Sequence, residues 1–94
     1  MHFVYIIYSV SRDLYYTGES SDPHERLIKH NSGHYSDSFT NQASDWKLIF
    51  ILECAHRSQA ILIERHVKKM KSRTYIKNLI DYPDISNKLK NLYK

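Results

Sequence analysis

Tyr5, Tyr16, Arg26, His30 and Glu64 are the side chains of this 94-residue chain whose types and spacing can do chemistry. Arg26 and His30 stand four apart in DPHERLIKH, so on a helix they share one face. An arginine there can hold a phosphodiester by two hydrogen bonds, and a histidine can give or take a proton. That face carries neither Leu27 nor Ile28 and is expected to look outward into a cleft; the plainer reading is an exposed cationic pair. Glu64 lies four residues after Ala60 and three before Val67, on the shoulder of an apolar helical stripe. A carboxylate at a core edge is costly unless it is paired or bound to a metal. Lys68, one turn on, offers a salt bridge. A single carboxylate with waters and phosphate oxygens is also how Mg²⁺ is commonly held.

The elements that position these groups follow from local pattern. FVYIIY (3–8) is apolar on both alternating faces and reads as a buried strand. SVSRD (9–13) reads as a turn and LYYTG (14–18) as a second strand, giving an antiparallel hairpin. A turn centred near Ser11 puts Tyr5 opposite Tyr16 or Thr17. Asp22, Pro23 and Glu25 form a helix start, and the helix is expected to run to His30 or Asn31 with Gly33 beyond it. Residues 34–45 are polar and read as a loop, long enough for so small a domain to suggest a role. WKLIFILE (46–53) is a third strand. Ser58 is expected to cap a long helix through Lys71, with Ala60, Ile63, Val67 and Met70 as its buried stripe. RTYIKNLI (73–80) is a further helix, YPD (82–84) a turn, and ISNKLKNLY (85–93) a final amphipathic helix. The order β-β-α-β-α-α-α implies an α+β fold, a small three-stranded antiparallel sheet flanked by helices. One domain over residues 1–94 is expected, with its core in 2–80 and a C-terminal helix at 85–93.

Composition narrows the class. No apolar run approaches the ~18 residues that span a membrane. The N-terminus lacks a cationic leader and reads as a strand rather than a signal peptide. The single Cys54 fits a reducing, cytoplasmic setting and reads as core rather than nucleophile. Charge is divided unevenly: residues 1–53 hold four basic residues against seven acids, a balance of −3, and residues 54–94 hold ten against three, a balance of +7. Such asymmetry suggests a polyanion-binding surface, with a solvated lysine-rich face as the plainer reading. Arg65, Lys68, Lys69, Lys71, Arg73 and Lys77 fall within RHVKKMKSRTYIK (65–77), a candidate edge for tracking phosphates. Gly18 by itself reads as a turn glycine at a strand end. Nucleotide-binding glycine loops, HExxH and hydrolase triad signatures are absent from the sequence.

Together and in this order, these segments resemble the GIY-YIG endonuclease superfamily, in its small stand-alone form. Phe3-Val4-Tyr5 and Tyr16-Thr17-Gly18 resemble the two tyrosine motifs, with Phe3 in place of a glycine and Thr17 in place of an isoleucine. DPHERLIKHNSG resembles the helix with an arginine and a histidine four apart, and AILIERHVKKMKSRTYIKNLI the helix carrying a metal-binding glutamate. The likeness spans roughly residues 2–80. It implies a metal-dependent endonuclease hydrolysing DNA phosphodiesters, in repair or in processing of irregular DNA. It makes Glu64 the ligand of one Mg²⁺ or Mn²⁺, Arg26 the phosphate-binding arginine and His30 its helix partner. Tyr5 is implied as general base, with Tyr16 orienting the water or phosphate. Gly18, Lys68, Lys69, Lys71, Arg73 and Asn78 are the implied DNA contacts; Asn78 is the nearest match to a family asparagine, and Gly18 is expected to leave room for the phosphate backbone. The alternative is a nucleic-acid-binding module that keeps the fold and cleaves little. A third reading makes the C-terminal helix a protein-contact surface.

Overall fold

The computed structural model describes residues 1–34 and 38–94. Its elements are β1 (His2–Ser9), β2 (Leu14–Ser20), α1 (Pro23–Asn31), a short 3-10 turn (Phe39–Gln42), β3 (Trp46–Cys54), α2 (Arg57–Met70), α3 (Arg73–Asp81) and α4 (Pro83–Leu92). The three strands form one antiparallel sheet in the order β2-β1-β3, so the expected α+β order is the one observed. The middle strand is the most buried, as a place between two partner strands and two helical layers requires. Val4 and Ile6 face α2–α4 and pack with Leu52, Ala60, Ile63, Val67, Leu79 and Leu89. Tyr5 and Ile7 face α1 and pack with Trp46, Leu27 and Tyr16. Leu89 and its neighbours bring α4 into the same core as the sheet.

The hairpin register differs by one residue from the expectation. Tyr5 pairs with Gly18 and Ile7 with Tyr16. The connection is Val10–Asp13, and Asp13 closes it in the left-handed region at φ 52°. That four-residue loop moves the hairpin centre by half a residue and shifts each cross-strand partner by one. The tip is tied down on two sides. Ser9 Oγ and the Ser11 N–H donate to Asp45 at 2.6 and 2.9 Å, and Tyr8 and Arg73 donate to Asp13 Oδ1 at 2.6 and 2.8 Å. β2 also runs past Gly18 to Ser20, so that glycine stands inside a strand.

Helix α1 starts as its sequence dictates: Asp22 accepts the Glu25 N–H at 3.1 Å and Pro23 occupies the first turn. Three other boundaries are corrected. α2 is capped by His56, whose Nδ1 accepts the Gln59 N–H at 3.1 Å, and not by Ser58, which lies within the first turn. Met70, expected in the buried stripe, is 45% exposed and instead lines a surface hollow with Leu62, His66 and Tyr93. YPD is no turn: Pro83 is the first residue of α4, where its missing N–H costs nothing. The expected loop at 34–45 holds the 3-10 turn; its residues 35–37 lie outside the described residues.

Candidate active site

β2 is an edge strand, so side chains from α1 on one face and α2 on the other can meet around it. On the α1 side the Tyr5 hydroxyl lies 2.8 Å from His30 Nε2. His30 Nδ1 lies 2.7 Å from Thr40 Oγ1, which lies 2.8 Å from Ser38 Oγ. This is a continuous chain of hydrogen bonds, Tyr5–His30–Thr40–Ser38. Either Nδ1–H donates to Thr40 and Tyr5 donates to Nε2, or both bonds run the other way. The expectation that His30 faces outward is corrected: it is 3% exposed, because the 3-10 turn folds over it. Burial first, and the nearby Arg26 charge second, push the imidazole down from 6.5 to about 4, so it is neutral at physiological pH.

The turn that covers His30 is itself pinned. Trp46 Nε1 donates to the Thr40 carbonyl at 2.8 Å. The Asn31 amide donates to the Trp46 carbonyl at 3.0 Å and accepts its N–H at 2.7 Å, so the end of α1 is stitched to the start of β3.

Gly18 has a different reason from the one expected. A Cβ built there would stand 2.5 Å from Tyr5 Cζ and the Tyr5 hydroxyl. The outer end of the Tyr5 ring sits against Gly18, and any side chain at 18 would push it off. The glycine makes room for the tyrosine, which in turn reaches His30.

Tyr16 stands edge-on to His30, with centroids 5.2 Å apart, and Phe39 stacks on its other side at 6.2 Å. The Lys68 ammonium sits 5.1 Å from the Tyr16 centroid and 3.6 Å from Glu64 Oε1. Tyr5, His30, Tyr16, Lys68 and Glu64 thus form an unbroken series of contacts from the α1 face to α2. Arg26 joins through its charge on His30 and lines a polar cavity of about 210 Å³ with Ser20 and Arg57. The Glu64 side chain is 17% exposed. Among the described residues no cluster of three His, Cys, Asp or Glu side chains can hold a metal by itself.

The expected cationic edge at 65–77 is divided. Successive helical residues point about 100° apart. Lys68, Lys71 and Arg73 line a groove of about 380 Å³ beside Tyr15, Tyr16 and Phe39. Arg65 and Lys69 line a separate hollow with Leu62, His66, Met70 and Tyr93. Arg73 is also engaged by Asp13 at the hairpin tip and lies over Tyr15 at 5.2 Å. Asn78 sits half-buried on α3, its carbonyl accepting the Tyr82 N–H at 2.8 Å. Cys54 is buried, which pushes its thiol up and suits a core residue.

A family model of the GIY-YIG catalytic domain matches residues 1–77. The chain belongs to the GIY-YIG family. Its three-stranded sheet and helices are the α+β arrangement expected of a GIY-YIG domain, and the family is one of nucleases. The match takes in both tyrosine motifs, Arg26, His30 and Glu64 of this GIY-YIG chain; Asn78 and α4 lie beyond it. No curated protein and no solved structure matches the chain. No helix among the described residues is long and apolar enough to cross a membrane.

Thr40, Ser38 and Phe39 were not marked by the sequence as site residues. They lie in a polar stretch without periodicity, and only the fold brings them onto His30 and Tyr16.

Proposed function

We propose that this chain is a divalent-metal-dependent endonuclease that hydrolyses DNA phosphodiester bonds, with Tyr5, Tyr16, Arg26, His30 and Glu64 as its working residues. The observation that carries the reading is the Tyr5 hydroxyl held 2.8 Å from a buried, neutral imidazole. A free tyrosine has a pKa of about 10 and is a poor base at neutral pH. The pair gives the tyrosine proton a defined acceptor. With Nδ1–H donating to Thr40, the Tyr5 hydroxyl donates to Nε2. Tyr5 can then accept a proton from water while its own proton passes to His30. A histidine already charged could not take it; because the burial that keeps His30 neutral also makes it a weak base, the transfer must run together with attack of the water on the phosphate.

Arg26 neutralises charge developing on the phosphate. Glu64 suits a hydrated Mg²⁺ or Mn²⁺, which takes one carboxylate and completes its shell with water and phosphate oxygens. When bound, such an ion stabilises the departing oxygen. Lys68, now paired with Glu64, is placed to turn to the phosphate. Lys71 and Arg73 extend the positive surface along the groove, and Lys69 serves DNA at most from the other side of α2. Gly18 acts through Tyr5 rather than by touching DNA. Repair or processing of irregular DNA is the setting proposed for this activity.

One observation favours exchanging the tyrosine roles. Tyr5 is fully buried, whereas Tyr16 is only partly buried and lines the groove. If Tyr5 is the base, DNA binding must uncover its hydroxyl; if Tyr16 is, Tyr5 positions His30 beneath it. Tyr5→Phe and Tyr16→Phe separate the two, since the base carries the larger rate loss.

The function is tested by incubating purified protein with supercoiled plasmid and with branched or flapped DNA, in Mg²⁺, Mn²⁺ or chelator. Metal-dependent cleavage, lost in Glu64→Ala and Arg26→Ala, is the expected result. Salt-sensitive binding without cleavage would leave the binding module as the better reading.

A further inference from the structure

Arg57 was not among the residues that sequence motifs singled out. It lies seven before Glu64 and eleven before Lys68, so at 100° per residue the three point within about 40° of one direction. All three therefore face the β2 edge. Arg57 and Arg26, from helices on opposite faces of the sheet, line one polar cavity of about 210 Å³ beside Ser20 and Ser21. The acidic side chain in that cavity, Glu19, is hydrogen-bonded to His2 and so is already engaged. Two guanidiniums side by side on a concave, largely polar surface suit successive phosphates of a nucleic-acid strand.

The cavity is continuous in sequence with the tyrosine groove. β2 supplies Tyr16 and Thr17 to the groove and Ser20 to the cavity, with Gly18 between them. α2 supplies Lys68 to the groove and Arg57 to the cavity, with Glu64 between them, and Lys71 at its C-cap joins Lys68 in the groove. Along α2, cations thus stand on both sides of Glu64. From Arg57 to Lys68 the helix rises about 16 Å, about five base-pair steps along a duplex axis at 3.4 Å each.

We propose that Arg57 forms a second phosphate subsite of the nuclease, holding a backbone phosphate of the cleaved strand next to the scissile one that Arg26 contacts. The strand then lies along α2, from Arg57 past Glu64 to Lys68 and Lys71. This rests on the nuclease reading above, and the test keeps the two apart.

Affinity of a fluorescein-labelled flapped DNA duplex is measured by anisotropy over a salt series in chelator. The proteins are wild type, Arg57→Gln, Arg57→Lys and Lys88→Gln, the last an exposed lysine on α4. Arg57→Gln should weaken binding about fivefold and lower the log–log salt slope by about one. Arg57→Lys should recover most of the affinity, and Lys88→Gln should match wild type. An uncharged methylphosphonate walked along the strand should, at one position off the scissile bond, cost wild type the same factor and cost Arg57→Gln nothing. If wild type binds with normal salt dependence while Arg57→Gln keeps both affinity and slope, the subsite is wrong and the nuclease reading stands. If wild type binds no DNA at low salt, both readings fall together.

Discussion

On the side of the sheet that faces α2–α4, the buried side chains are almost all aliphatic. Val4, Ile6, Ile63, Val67, Leu79 and Leu89 touch one another and need no particular partner. On the α1 side the buried set is Tyr5, His30, Thr40 and Trp46 beside Ile7, and the polar groups of that set are held by one another. The first kind of packing loses stability in proportion to the atoms removed. The second kind is set by partnership: one missing group orphans the next in a low-dielectric site. The fold is held mainly by the α2–α4 side, while the smaller α1 side holds a histidine in a state it would not adopt in water.

Ile63→Ala tests the aliphatic side and should give the largest loss of stability, roughly 3–4 kcal/mol by urea denaturation. DNA affinity per folded molecule should barely change. If the site were equally dependent on that core, binding would fail along with the fold.

The polar side is exposed by pH. His30 has a pKa of about 4 when folded and about 6.5 when unfolded. Between those values the unfolded chain binds a proton that the folded chain refuses. Its contribution to stability is therefore complete above pH 6.5 and is lost as pH falls toward 4. The full loss is about 3 kcal/mol. Denaturation midpoints across that window should flatten in His30→Gln. An unchanged slope in that variant would place the acid sensitivity elsewhere.

Thr40→Val keeps the shape of the turn and removes the oxygen that faces Nδ1. It should cost about 1–2 kcal/mol, the usual penalty for one orphaned buried group. It should also slow cleavage more than Ile63→Ala does, although Ile63→Ala destabilises more. The reverse ranking would mean that Thr40 only packs.

The smallest effect on stability belongs to the Glu64–Lys68 pair at 3.6 Å, with Lys68 about half exposed. Lys68→Gln should change stability by less than about 1 kcal/mol. Its effect should appear in the salt dependence of DNA binding instead.

How much of this was legible beforehand follows from how local each signal is. The cap at Asp22, the proline at 23 and the apolar run of β1 are decided within a few residues, and they were readable. The pairing of Arg26 with His30 and the place of Glu64 followed from helical spacing. The hairpin register depended on Asp13 adopting positive φ, which no neighbour of Asp13 announces. The burial of His30 depended on Thr40 and Trp46, ten and sixteen residues away in a stretch with no period. Gly18 was noticed for its rarity, but its neighbour Tyr5 was not foreseen, because only the register puts that ring above it. The cations after Glu64 looked like one edge in a line of letters, whereas a helix points neighbours in different directions.

The central claim is that the fold holds a neutral His30 against the Tyr5 hydroxyl. Long-range proton–nitrogen NMR of the imidazole, followed from pH 8 down to the limit of solubility, tests it directly. The account predicts a neutral ring at pH 6, protonated at Nδ1 and not at Nε2, with a midpoint near 4. A ring that titrates near 6.5 with both nitrogens protonated below it would contradict the account.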